Sequence, residues 1–330
     1  IHLDYNVIIS ISGRIFMKLD NRLILVLVAV VGIYAIFLFT SDFGIVLEKI
    51  SNFKINYLPL ILFFVSASWI PLIIKWHFLL KNSEVDVPLT KSIAVFFSGV
   101  AFEITPGQIG ALIKSQILKT SYNIPRTKTV PIVIVEKVYD LIGAILASVI
   151  GIIILGMEIY LIAIAISVLA FIFFFMYYKP ASELFFNRIT KLKFFSKHIE
   201  NISGFYEIVQ KSTNVRAATI CILLALAYWF MVSAAAYYTL ISFDVNILDY
   251  LKVLAIYSTS TLLGAISFIP AGIGITEGSI AGLFTLNGID VSTALILAVM
   301  IRIFTLWYSV SVGFIALKFT GGLSFRKNSF

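Results

Sequence analysis

The chain of 330 residues is 60% hydrophobic and 13% charged, with a formal net charge of +8 and a mean hydropathy of +1.01. Soluble domains run roughly half apolar and a quarter charged, so a water-soluble enzyme is excluded and a bilayer becomes the relevant solvent. The single cysteine, Cys221, and three dispersed histidines, His2, His77 and His198, exclude a disulfide framework and a clustered metal site.

In chain order, Ile1–Phe16 precede Met17-Lys18, which has the look of a natural start, and are set aside as an N-terminal extension. Leu23–Thr40 is an almost unbroken apolar run of the length that a hydrocarbon core requires. Tyr57–Trp76 is the next expected span, with a kink expected from its prolines Pro59 and Pro71 and interface positions open to Trp69 and Trp76. Val130–Gly156 and Ile159–Tyr178 follow as a hairpin closed by Met157-Glu158. Arg216–Ser242 and Val291–Leu317 complete a set of six spans.

Two apolar stretches, Lys91–Leu118 and Leu251–Leu286, are interrupted in the middle. The interruptions read Thr105-Pro106-Gly107-Gln108-Ile109-Gly110 and Ile269-Pro270-Ala271-Gly272-Ile273-Gly274. Non-helical backbone leaves peptide groups unpaired, so at membrane depth it must be buried in protein or line a wet cavity. In the first stretch the flanking pieces are about a dozen residues each, the length of re-entrant segments; Leu251–Phe268 is long enough nearly to cross.

Basic residues in short loops mark the cytoplasmic side. With both interrupted stretches re-entrant, Lys114, Lys119, Arg126 and Lys128, then Arg188, Lys191, Lys193 and Lys197, then Lys318, Arg326 and Lys327 all fall inside. The fold expected is therefore all-α and multi-pass, with six spans, two re-entrant hairpins and both termini cytoplasmic in the cell membrane. The polar stretch Lys179–Lys211 mixes Phe and basic residues, in the manner either of an interfacial amphipathic helix or of a solvated loop packed on the bundle.

The Pro-Gly motifs occupy corresponding places in two halves, about 57–156 and 216–317, joined by 157–215. Opposite entry of the two hairpins makes the halves inverted copies, an arrangement that secondary transporters share. The charges that follow, Glu136, Lys137 and Asp140 in one half and Glu277 and Arg302 in the other, are costly at membrane depth and mark either a substrate path or a structural ion-pair network. Glu136 and Asp140 share a helical face, and Lys137 can pair with Asp140 three residues on. Arg302 offers a planar fork for a phosphate, or for Glu277 or Glu136, and Trp307 can stack on it. Gly107, Gly110, Gly272, Gly274 and Gly278 provide close backbone approach, with free N–H groups at half-helix starts or tight helix packing as the alternatives.

Thr105-Pro106-Gly107 with Gly110, then Glu136-Lys137-Val138-Tyr139-Asp140, then Pro270 through Gly278, and finally Arg302 near Trp307 resemble the transmembrane, flippase-like region of lysylphosphatidylglycerol synthases. That family includes stand-alone relatives, among them archaeal membrane proteins of lipid-linked glycosylation. The likeness runs from Met17 onward, and the Pro270–Gly278 motif is its most specific part. Two positions depart from it: Ala111 stands where the family often carries an acid, although Glu103 lies just upstream, and Lys137 replaces a frequent arginine. The resemblance implies passage of an amphipathic lipid between leaflets, by the translocating part alone, without the synthases' soluble aminoacyl-transfer domain.

The function expected is lipid translocation, for an anionic phospholipid or a polyprenyl-phosphate-linked sugar, along a path through Pro106, Gly107, Gly110, Glu136, Lys137, Asp140, Pro270, Gly272, Gly274, Glu277, Gly278 and Arg302. A membrane-embedded transferase and a small-solute transporter are the alternatives. No cofactor, metal or nucleic acid is expected. The partners are membrane lipids and, at most, further copies of the chain.

Overall fold

The computed structural model describes residues 51–154, 159–178, 180 and 202–319. The expected span Leu23–Thr40, the Met157–Glu158 turn, most of the basic stretch and both termini lie outside the described residues. Every element named below belongs to the compact unit that begins at Phe53.

The described residues are helical throughout. Helix α1 is Leu58–Asn82, α2 Leu89–Val100, α3 Ile113–Tyr122, α4 Arg126–Ile154, α5 Ile159–Tyr177, α6 Ile202–Ser212, α7 Val215–Ser242, α8 Tyr250–Ile266, α9 Ile275–Leu286, α10 Val291–Arg302 and α11 Tyr308–Phe319. Tight 3-10 turns at Pro106–Leu112 and Pro270–Gly272 form the two breaks, and a π-helical turn, Ile303–Trp307, joins α10 to α11 in one continuous rod. Among the described residues, three helical stretches are long and apolar enough to cross a membrane: Ile55–Asn82, Val215–Ser242 and Val291–Leu317. Leu89–Val100, Ala165–Phe174 and Tyr250–Ile266 are shorter apolar helices. Helix α4, with 29 residues, is about 43 Å long at 1.5 Å per residue.

Neither proline of α1 ends the helix. The helix is not interrupted: Pro59 sits in its first turn, where a missing N–H is no loss, and the helix runs on through Pro71. Trp69 and Trp76 are buried within the protein, where α1 packs along α7 and α4.

The two halves share one order: long helix, short helix, break, short helix, long helix. Their stop signals match as well. Glu84 ends α1 and Asp244 ends α7 with left-handed backbone; Asn123 ends α3 and Gly288 ends α9 in the same way. In each case the next residue, Val85, Val245, Ile124 or Ile289, returns its N–H to a carbonyl of the last helical turn and closes the helix with an apolar contact residue. The α7, α8 and α10 helices are opened by side chains that accept N–H bonds: Asn214 from Ala217, Asp249 from Lys252 and Asp290 from Thr293.

The halves pack reciprocally. The leading helices α1 and α7 run together, α2 of the first half lies on α11 of the second, and α8 of the second lies on α4 of the first. The two breaks meet each other at the centre. Small residues make the closest of these contacts: a Cβ on Gly313 would lie 2.4 Å from the Ala101 backbone, and one on Gly143 would lie 2.6 Å from the Ala225 side chain.

Candidate functional site at the meeting of the two breaks

In the second break, Ala271, Gly272 and Gly274 take left-handed φ of 54°, 64° and 84°. Gly272 also lies against Gly264, where a Cβ would meet the Gly264 Cα at 2.8 Å, so both its dihedral and its space require glycine. Arg302, at the end of α10, holds this loop from outside. Its Nε donates to Glu277 Oε1 at 2.9 Å, and an Nη donates to the Ala271 carbonyl oxygen. Glu277 in turn accepts the Gly274 N–H at 2.7 Å, which caps the start of α9. Arg302 and Glu277 are both buried. Arginine suits this place because one planar group addresses a carboxylate and a carbonyl at once.

In the first break, Thr105 does the local work. Its hydroxyl donates to the Phe102 carbonyl oxygen at 2.7 Å and accepts the Gly110 N–H at 2.8 Å. Gln108 occupies the left-handed region with φ 54°; it stands two residues after Pro106 as Gly272 stands two after Pro270, so the motifs share a left-handed residue at that position.

Four of the five glycine N–H groups are already engaged within the protein, contrary to one reading of the sequence. Gly110 donates to Thr105 and Gly274 to Glu277, while Gly272 donates to Ile269 and Gly278 to the Gly274 carbonyl oxygen. The loops consume their own donors because tight turns bring acceptors within reach before any ligand arrives.

Six charges gather in the first half. Lys114 pairs with Glu136, both buried, and its ammonium sits 4.3 Å from the Trp76 ring centre and 5.8 Å from that of Phe96. Its methylenes run so close to Gly99 that a Cβ there would come within 2.7 Å of the Lys114 Cγ. Lys75, wholly buried, pairs with Asp140. Lys137 lies 3.4 Å from Asp140 and 3.3 Å from Glu103.

These pairs differ in access. Glu136, Lys114, Glu277 and Arg302 are sealed, whereas the side chains of Lys137, Asp140 and Glu103 keep 24%, 26% and 27% of their surface accessible. Tyr228 of α7 and Tyr257 of α8 are near enough to feel the charges of both Glu103 and Arg302.

The sequence candidates therefore form two groups: Glu136, Lys137 and Asp140 around the first break, and Glu277 and Arg302 around the second. Arg302 pairs with Glu277 rather than Glu136. Pro106, Gly107 and Gly110 lie in the first break and Pro270, Gly272 and Gly274 in the second, with Gly278 on the first turns of α9. Sequence reading missed Lys75, Lys114 and the pairing of Glu103. A lysine in the apolar run Tyr57–Trp76 was the available signal for Lys75, on the same cost argument applied to Arg302.

Broken helices meeting around an accessible set of charges define an all-helical, multi-pass membrane protein with a polar centre. Residues 24–313 match the family described as the lysylphosphatidylglycerol synthase TM region, and the chain belongs to that family. It is similar to a UPF0104 membrane protein of Methanothermobacter thermautotrophicus, with 28% identity over 112 residues, 34% of this chain and 33% of that protein. The match thus spans about a third of the length of that relative.

Proposed function

We propose that this protein is a lipid translocase of the cell membrane, carrying an anionic phospholipid or a polyprenyl-phosphate-linked sugar between leaflets. The head group moves through the polar centre between the two breaks while its tails stay in hydrocarbon. In this reading the two interrupted stretches are re-entrant hairpins of an inverted repeat, the spans number six, and both termini are cytoplasmic. The observation that carries the reading is the accessible trio of Lys137, Asp140 and Glu103 beside the place where the breaks meet. Ionised groups at that depth need water or a charged ligand, and a lipid head group supplies the latter.

The sealed pairs are assigned a different duty. Arg302 with Glu277, and Lys114 with Glu136, hold the breaks in shape, and Lys137 is the cation that meets the phosphate. Fluorescent phosphatidylglycerol in reconstituted vesicles tests this by its exposure to a membrane-impermeant quencher. Lys137→Gln is expected to slow exchange at least about tenfold, the effect of about 1.4 kcal/mol, with the melting temperature retained. Unchanged exchange in that variant refutes the site. A modified lipid detected by mass spectrometry replaces the reading with a head-group transferase, and solute flux without lipid exchange replaces it with a small-solute transporter.

A further inference from the structure

The charge balance around the first break carries a second step, which rests on the translocation reading. Three cations, Lys75, Lys114 and Lys137, face three anions, Glu103, Glu136 and Asp140. The cluster is neutral without a ligand. An anionic head group arriving at Lys137 adds one uncompensated negative charge, which a low-dielectric centre disfavours strongly. Either another cation must enter or one acid must take a proton.

The geometry singles out which acid. Glu136 is sealed against Lys114, and Asp140 is held by two cations, the wholly buried Lys75 and Lys137. Glu103 has, among the described residues, only Lys137, at 3.3 Å. It is also accessible, and it sits in the turn Ala101–Ile104 that leads into the first break rather than on a packed helix. The groups that face it are Lys137 and Asp140 from α4, Tyr228 from α7 and Tyr257 from α8. Arg302 is already paired with Glu277. A head group that takes Lys137 therefore leaves Glu103 with no cation.

We infer that Glu103 is a proton carrier, so that one anionic lipid and one proton cross together without net charge movement. The phosphate oxygen replaces the Glu103 carboxylate on the Lys137 ammonium, and Glu103 takes one proton from water on the entry side. On the far side the phosphate leaves, Glu103 gives the proton up and returns to Lys137. No bond to phosphorus forms or breaks.

The test uses the full chain in phosphatidylcholine vesicles with a trace of fluorescent phosphatidylglycerol, read as the leaflet ratio at equilibrium. A gradient of one pH unit should drive the probe to the leaflet facing the alkaline side, by about tenfold for one-to-one coupling. A potassium diffusion potential set with valinomycin should leave the ratio near one. Glu103→Gln, at whatever rate it works, should lose the pH response and follow the potential instead. Wild-type protein that follows the potential and ignores the pH gradient overturns the proposal, as does a Glu103→Gln variant that still follows pH. These wild-type arms decide the matter even where the variant does not fold. Absence of any wild-type exchange refutes translocation itself, a separate outcome from exchange that is blind to pH.

Discussion

Replacing Arg302 by methionine tests the division between sealed and accessible charges. The change keeps an unbranched side chain of helix-compatible shape but removes the Arg302 guanidinium from the buried Glu277 carboxylate. The Ala271 carbonyl, in a loop that already carries three consecutive or near-consecutive left-handed residues, loses its donor as well. Breaking a buried pair by removing one partner costs about 3–5 kcal/mol. At about 2–4 °C per kcal/mol for proteins of 150–250 residues, the melting temperature falls by on the order of 10 °C. The double variant Arg302→Met with Glu277→Gln removes the carboxylate charge as well while keeping an oxygen for the Gly274 N–H, and it should recover a large part of the loss. The lone Cys221 is buried, so a thiol-reactive dye that fluoresces on exposure of that cysteine reports unfolding in detergent. A single variant that melts with the wild type, or a double variant no more stable than the single, refutes the staple.

Gly264→Val should be severely destabilising, because even a Cβ there lies 2.0 Å from the Thr276 hydroxyl oxygen; the yield of folded protein on gel filtration measures it. Gly278→Ala is expected to stabilise the fold by about 0.5–1 kcal/mol and so raise the melting temperature slightly, since the position is helical and an added methyl would have nothing within 4 Å of it; a fall would reveal a contact on that face of α9. At the surface, Lys211 hydrogen-bonds Glu84 and holds its carboxyl below the ordinary 4.5. A group depressed in the folded state stabilises above its unfolded value and loses that contribution as pH falls through the folded one. Hydrogen exchange of α6 should therefore be flat from pH 7 to about 5, after correction for intrinsic rates, and rise only in more acid solution.

Much of the architecture was legible in one dimension. Apolar run length placed α4, α5, α7 and the α10–α11 rod within a few residues, because in hydrocarbon a helix must satisfy its own backbone and its length must match the bilayer. The Pro-Gly motifs located both breaks, since proline and left-handed glycine are local constraints. Pairing across three residues, Lys137 with Asp140, followed from helical geometry alone. Partner choice over longer distances did not. Lys114 reaches Glu136 across a helix turn and a loop, Lys75 reaches Asp140 from another helix, and Glu103 meets Lys137 only because the first break folds against α4. Trp76 looked like an interface anchor and became a buried platform for Lys114. Which charges are sealed and which remain accessible depends on how the two halves interlock, and that packing involves residues far apart in the chain, so only the tertiary structure decided it.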